Sequence, residues 1–143
     1  MAATRTKTAA FKLTAPIVRE QSLHRQLADL LRIEVAPPGR VSPAGVTWWA
    51  VDASNYNDRI PGLRTTRGRI AGVPDLLFVH DGRAFFVEIK RQPDGVLSAD
   101  QQDVATTMLL CGARFAVVTS AEQLLAVLDQ WQIPRAGRVK LAA

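Results

Sequence analysis

The sequence feature that most constrains the fold is a β-hairpin centred on Asp81-Gly82. This dipeptide lies between two strand-like apolar runs, Leu76–Val79 and Ala84–Ile89, and is a strong signal for a two-residue turn. Counting outward from that turn places Asp75 directly opposite Glu88. Directly opposed residues of a hairpin project from the same face of the sheet, with Cβ atoms about 5 Å apart.

Two opposed carboxylates repel each other, and a folded protein relieves this by protonation, by pairing with a cation or by binding a metal. Carboxylates with room for water suit Mg²⁺ or Mn²⁺, which prefer oxygen ligands and coordinate phosphate oxygens. Period-2 alternation puts Lys90 on the face of Glu88. The sequence therefore predicts either a metal site at Asp75 and Glu88 or a structural cluster that Lys90 neutralises.

The rest of the chain predicts helices and strands around this hairpin. Leucines at helical spacing follow Pro16, and Ser98 and Ser120 each stand where a helix begins. Residues 53–72, rich in Asn, Gly and Arg, predict a long loop. We expect an α/β domain with a mixed β-sheet flanked by helices, in the order α-β-β-β-α-β-α. The predicted elements are a helix of about 15 residues after Pro16, strands at 46–51, 76–79, 84–89 and 114–118, and helices at 98–110 and 120–131.

This 143-residue chain has a net charge of +5. Its basic residues are concentrated in three segments, which are residues 1–15, residues 59–69 and the last twelve residues. A chain of this length predicts one domain, which we place at residues 16–133 between basic tails at 1–15 and 134–143. Within the loop, Arg64, Arg67 and Arg69 are candidates for contacts with backbone phosphates. Such patches favour a nucleic acid partner, although solubility and a solvated loop also explain them.

Several protein classes are disfavoured by composition. No apolar run approaches the roughly 18 residues that a membrane span needs, so we expect no membrane partner. The N-terminal residues lack the apolar segment of a signal peptide. Cys111 is the only cysteine, which excludes an intramolecular disulfide and suits a cytoplasmic location.

Four sequence blocks, in order, carry a resemblance to a known family. The pair Gly72-Val73-Pro74-Asp75 and Glu88-Ile89-Lys90 resembles the signature of the PD-(D/E)XK nuclease superfamily. More narrowly, the chain is similar to the virus-type replication-repair nuclease (VRR-NUC) family over about residues 17–131. In the block that begins at Arg19, His24 stands where that family often has Gln. The blocks are Arg19-Glu20-x2-Leu23-His24-x2-Leu27-x2-Leu30-Leu31, Gly68-x3-Gly72-Val73-Pro74-Asp75-Leu76, Phe86-Val87-Glu88-Ile89-Lys90-Arg91 and Leu97-Ser98-x2-Gln101.

The resemblance implies a restriction-endonuclease-like core and a metal site. Asp75 and Glu88 would ligate Mg²⁺ or Mn²⁺, with the Ile89 carbonyl as an added ligand. Lys90 would orient the attacking water or stabilise charge on the phosphorane. Glu20 would be a further acid at the metal, although an acid in the first turn of a helix is also favourable to the helix dipole.

Two further roles follow from the same resemblance. Gln101 would touch the metal-bound water or the scissile strand, although Ser98-x2-Gln101 is also the pattern of a helix capping box. Arg91, directly after the motif, joins the arginines expected to contact DNA. We interpret His24 and His80 as helix-face or surface histidines rather than ligands.

The function that the resemblance implies is a metal-dependent DNA endonuclease in replication, repair or recombination. Free-standing phage and bacterial members of the family suggest a preference for branched DNA, such as a Holliday junction or a flap, cut by a homodimer. The location would then be the cytoplasm of a bacterial or phage-infected cell. The alternatives are a restriction-type or nicking nuclease without branch preference, a catalytically silent DNA-binding module of the same fold, and a basic α/β protein that binds other partners.

Overall fold

The protein has an α/β fold with a mixed four-stranded sheet and three helices in the part that the computed structural model describes. The described residues are 20–51, 68, 70–91 and 95–139, with Glu20 described by its backbone alone. The predicted N-terminal tail, Arg64, Arg67 and Arg69 lie outside them. The elements are α1 (Glu20–Glu34), β1 (Val46–Ala50), β2 (Leu76–His80), β3 (Arg83–Ile89), α2 (Ala99–Leu110), β4 (Arg114–Val118) and α3 (Ala121–Gln130).

The sheet has the strand order β1-β2-β3-β4. The first two pairings are antiparallel, and β3 pairs with β4 in parallel, with α2 forming the crossover between them. In the β2–β3 hairpin, His80 pairs with Arg83 and Leu76 pairs with Val87, which confirms the predicted register. Asp81 and Gly82 have φ angles of 51° and 70°, as a tight two-residue hairpin turn requires.

One face of the sheet carries the hydrophobic core. The leucine stripe of α1 and the buried leucines of α3 pack against the alternating apolar side chains of the strands. Trp48 is 1% exposed and donates its indole N–H to the Ala36 carbonyl over 2.7 Å. This core holds α1 against the sheet. It therefore determines which α1 side chains lie near Asp75, at the start of β2. The strand members of the core are Val46, Trp48, Leu76, Phe78, Phe85, Val87, Ile89 and Val118.

The opposite face of the sheet carries Glu88 and is flanked by α2. A row of larger apolar side chains crosses all four strands on this face, formed by Trp49, Leu77, Phe86 and Phe115. Because Glu88 follows Phe86 on the same face, the carboxylate lies just beyond this apolar row and beneath α2. No helix among the described residues is long and apolar enough to span a membrane.

The segment after α3 folds back onto the C-terminal end of α1. Glu34 is 1% exposed and accepts hydrogen bonds from Arg135 Nη1 at 3.0 Å, from the Gly137 N–H at 2.9 Å and from the Val139 N–H at 2.6 Å. Arg135 also forms a bidentate pair with Asp129. The predicted C-terminal tail therefore packs against the domain as far as Val139, and the boundary at residue 134 stays a prediction.

Candidate functional site

Asp75 lies immediately before β2, and the backbone of the hairpin orients its carboxylate. Its Oδ2 accepts a hydrogen bond from the Ile89 N–H over 2.7 Å. Its main-chain carbonyl accepts from the Val51 N–H over 2.8 Å, which extends the β1–β2 pairing to this residue. Asp75 is thus held at the end of the hairpin beside the Glu88 region of β3, as the predicted register requires.

The Glu88 carboxylate is the buried acid of this cluster, with only 3% of the residue exposed. Its Oε1 accepts a hydrogen bond from Gln101 Nε2 over 2.6 Å and lies 3.3 Å from Lys90 Nζ. Burial and the negative charge of Asp75 raise the pKa of Glu88 to about 7, while Lys90 acts in the opposite direction. A carboxyl with this pKa changes protonation near neutral pH, and a cation beside it would favour its charged form.

Gln101 joins the N-terminus of α2 to the acidic pair. Its backbone N–H donates to Ser98 Oγ, and its side-chain oxygen accepts from the Ser98 N–H over 2.9 Å. Its side-chain nitrogen is left to donate to Glu88. The capping interpretation of this residue is confirmed, and the same side chain also contacts the site.

Gly72 allows α2 to approach the loop that carries Asp75. Its φ is +84°, and a Cβ there would lie 2.5 Å from the carbonyl carbon and oxygen of Asp100 and 2.7 Å from the Gln101 nitrogen. A real Cβ cannot approach backbone atoms so closely, so only glycine fits at this position without displacing α2. The glycine therefore helps to place Gln101 within reach of Glu88.

His24, interpreted from the sequence as a helix-face or surface histidine, lies on α1 close to Asp75. Its Nε2 lies 3.9 Å from Asp75 Oδ2, and its side chain is 35% exposed. The packing of α1 on the sheet creates this contact between residues far apart in the sequence. The only signal in the sequence was its place within the first family-like block.

The Ile89 main chain faces Asp75. Its N–H donates to Asp75 Oδ2, whereas the Lys90 N–H donates to the Val118 carbonyl on β4. In a strand, the N–H and C=O of one residue point toward the same neighbour, so the Ile89 carbonyl also points to the β2 side. The Ile89 carbonyl is therefore on the side of β3 that faces β2 and Asp75.

The remaining predicted residues are placed only in part. Glu20 begins α1, and its side chain lies outside the described structure. Arg91 follows Lys90 and is half-buried. The described structure therefore brings together Asp75, Glu88, Ile89, Lys90 and Gln101 of the predicted site.

The donor set of the described cluster fits a hard divalent cation in its chemistry. Two carboxylates and one carbonyl would offer oxygen ligands, and Mg²⁺ keeps several waters when proteins bind it. Among the described residues, no group of three or more His, Cys, Asp and Glu side chains is arranged to hold a metal ion. Any cation here would therefore be held by few protein ligands and completed by water and substrate oxygens.

No protein-family model, curated protein or solved structure matches the chain significantly. The similarity to VRR-NUC nucleases therefore rests on the four sequence blocks alone.

Proposed function

We propose that this chain is a divalent-metal-dependent endonuclease that hydrolyses phosphodiester bonds in DNA. The observation that carries the proposal is the acidic pair at the end of the hairpin. Burial and then the negative charge of Asp75 raise the pKa of the Glu88 carboxyl, and Lys90 Nζ lies 3.3 Å from Glu88 Oε1. Two acids and a lysine in this arrangement suit a cation bound between protein carboxylates and a phosphate.

The arrangement favours catalysis over a plain structural cluster for an electrostatic reason. Burial and the negative charge of Asp75 disfavour the charged form of Glu88 and raise its pKa to about 7, although Lys90 acts to lower it. A divalent cation would neutralise both carboxylates, polarise the scissile phosphate and make the attacking water more acidic. The protein would then supply the fixed oxygen ligands that hold the cation.

The neighbouring groups have defined tasks in this proposal. The Ile89 N–H and the Gln101 amide fix the rotamers of Asp75 and Glu88, so the ligands are oriented before substrate binds. Lys90, with 16% of its side chain exposed, would orient the attacking water or stabilise the charge that develops on the phosphorane. Each task needs only a hydrogen bond or a positive charge at the position described.

The finer assignment rests on the sequence resemblance. We place the chain in the restriction-endonuclease-like class, with the order α-β-β-β-α-β-α and a VRR-NUC-like site. Branched DNA, such as a Holliday junction or a flap, is the favoured substrate in the cytoplasm of a bacterial or phage-infected cell. A homodimer would present two such sites to two strands of a junction. Arg64, Arg67, Arg69 and Arg91 are the proposed phosphate contacts.

The test is cleavage of linear, flapped and four-way-junction DNA in Mg²⁺, Mn²⁺ or EDTA. The proposal expects cleavage in at least one metal, none in EDTA, and faster cutting of the branched substrates. Equal cleavage of all three DNAs would remove the branch preference and leave the nuclease assignment in place. DNA binding without cleavage in any metal would instead identify a catalytically silent binding module.

A further inference from the structure

The face of the sheet that carries Glu88 is only partly covered. On the core face the apolar side chains of β2 and β3 are buried, whereas on this face they are half-buried. The half-buried side chains are Leu77, Val79, Ala84 and Phe86. Trp49, on the edge strand β1, is the most exposed member of the apolar row on this face, at 39%. Part of its indole ring is therefore open to solvent.

The exposed indole lies beside the acidic pair. Trp49 pairs with Leu77, and Asp75 stands two residues before Leu77 on the same face. The hydrogen bond from the Val51 N–H to the Asp75 carbonyl continues the β1–β2 pairing to that position. Trp49 and Asp75 are therefore diagonal neighbours, about 7–8 Å apart, which is within reach of a large aromatic side chain. Because one sugar separates a base from its phosphate, a phosphate at Asp75 and Glu88 would bring a base within reach of Trp49.

The other two tryptophans have structural tasks. Trp48 is 1% exposed and donates its indole N–H to the Ala36 carbonyl. Trp131 packs against Phe85, with ring centroids 5.4 Å apart. Cross-strand packing on Leu77 accounts for the buried part of Trp49 but leaves its exposed part without a task.

The exposed area of Trp49 matches a nucleobase better than a protein partner. A tryptophan presents at most about 250 Å², so a residue that is 39% exposed leaves roughly 100 Å². A stable protein interface buries about 800 Å² on each partner, far more than one indole offers. Stacking on an aromatic ring takes a single base. The net charge of +5 also suits a polyanion.

We propose that Trp49 stacks against an unpaired base next to the scissile phosphate and so favours DNA that is single-stranded or opened at the cut site. The inference rests on the proposed function in that this DNA is the substrate of the nuclease. Inside a duplex, neighbouring bases cover each other, so only an unstacked base can meet the ring. Trp49 thus adds a selection between DNA structures that the acidic pair, which meets only phosphate, does not provide.

The experiment compares two probes in EDTA: oligothymidylate and an abasic oligomer of equal length and charge. The wild-type chain should bind oligothymidylate roughly tenfold more tightly, with quenching of tryptophan fluorescence. Trp49→Leu should bind both probes equally. Trp49→Phe should keep most of the preference, because it keeps a ring, and lose the quenching. Trp131→Phe, the same change at the tryptophan packed on Phe85, should keep both the preference and the quenching.

Three results would overturn the inference. They are equal binding of the two probes by the wild-type chain, an undiminished preference in Trp49→Leu, and unchanged quenching in Trp49→Phe. Circular dichroism checks that Trp49→Leu is folded, and if it is not, the quenching in Trp49→Phe decides. A Trp49→Leu chain that keeps the preference but changes from dimer to monomer in sedimentation would identify an interface between copies instead.

Metal-dependent cleavage by the wild-type chain is measured separately. Cleavage without any preference for the probe that carries bases rejects the inference and keeps the nuclease. A preference that depends on Trp49, without cleavage in any metal, rejects the nuclease and keeps the base contact.

Discussion

Gln101 donates its side-chain N–H to Glu88 Oε1 over 2.6 Å while its side-chain oxygen caps α2 at Ser98. One residue therefore joins a helix N-terminus to the buried acid of the candidate site. The two roles use different atoms of the same amide, so substitution can separate them.

Gln101→Glu should preserve the cap and disrupt the acidic site. Glutamate is as good as glutamine in a capping box, but here it would place a carboxylate against Glu88. We expect DNA cleavage to fall roughly 100-fold, because the ligand geometry is disturbed. The measurement is the single-turnover cleavage rate, with helix content checked by circular dichroism.

Ser98→Ala is the complementary control. It removes the cap hydroxyl that accepts from the Gln101 N–H and should cost about 1 kcal/mol of stability. The Gln101–Glu88 contact remains, so cleavage should persist. A Gln101→Glu protein that cuts DNA at the wild-type rate would show that this contact has no part in the reaction.

Gly72→Ala should damage both stability and cleavage. Its Cβ would overlap the Asp100 carbonyl and push α2 away, in addition to the cost of a left-handed backbone. We expect a stability loss of roughly 3 kcal/mol or more in urea unfolding. Gly112 has the same φ of +84° with no atom within 4 Å of its Cβ position, so Gly112→Ala should lose only about 1 kcal/mol. Equal losses for the two variants would contradict the close-approach argument.

The raised pKa of Glu88 predicts an unusual pH dependence for the metal-free protein. Burial and Asp75 move the pKa of Glu88 from 4.5 to about 7, so the folded state binds this proton more tightly than the unfolded chain. Stability should therefore fall as pH rises from about 4.5 to about 7, by roughly 3 kcal/mol from this group. Glu88→Gln should remove that fall in urea unfolding measured in EDTA.

The control for this experiment is Glu122→Gln, which changes an exposed acid in the first turn of α3. It should retain the wild-type pH dependence. If Glu88→Gln and the wild-type chain lose stability in parallel between pH 5 and pH 8, Glu88 is not the group responsible.

The effect of pH on stability that comes from Glu34 should have the opposite sign to that from Glu88. Burial acts to raise its pKa, but the hydrogen bonds from Val139, Arg135 and Gly137 outweigh burial and lower the pKa below 4.5. Its stabilising contribution is therefore present at neutral pH and is lost in acid, as pH falls below the ordinary value of 4.5 and through the lowered pKa of Glu34. Glu34→Gln should cost roughly 3 kcal/mol at pH 7, and the difference should shrink in acid.

An exposed ion pair in the same helix provides the comparison for Glu34. Asp29 and Arg32 are 2.8 Å apart on the solvent side of α1, so Asp29→Asn should change stability by less than about 1 kcal/mol. Equal effects of Glu34→Gln and Asp29→Asn on urea unfolding would show that the C-terminal segment contributes little.

Local patterns predicted the parts of the fold that local chemistry determines. The Asp81-Gly82 turn fixes the hairpin register, and Ser98 with Gln101 fixes the start of α2. Both depend on residues within a few positions of each other. For the same reason the Asp75–Glu88 opposition followed from counting along the hairpin.

Contacts between distant segments could not be predicted in this way. His24 reaches Asp75 only because the α1 leucines and the strand core set where the helix lies. Glu34 and Arg135 are 101 residues apart, and no spacing in the sequence pairs them. Gly72 appeared in a family-like block, but its tight contact with Asp100 depends on the approach of α2.

The measurement that tests the central claim most directly is single-turnover cleavage of a four-way-junction DNA by the wild-type chain and by Glu88→Gln. Both proteins are assayed in Mn²⁺, in Mg²⁺ and in EDTA, after circular dichroism confirms that the variant is folded. The account predicts cleavage by the wild-type chain that needs metal and falls at least roughly 100-fold in Glu88→Gln. Cleavage that persists in EDTA, or that the folded Glu88→Gln protein carries out at the wild-type rate, would contradict it.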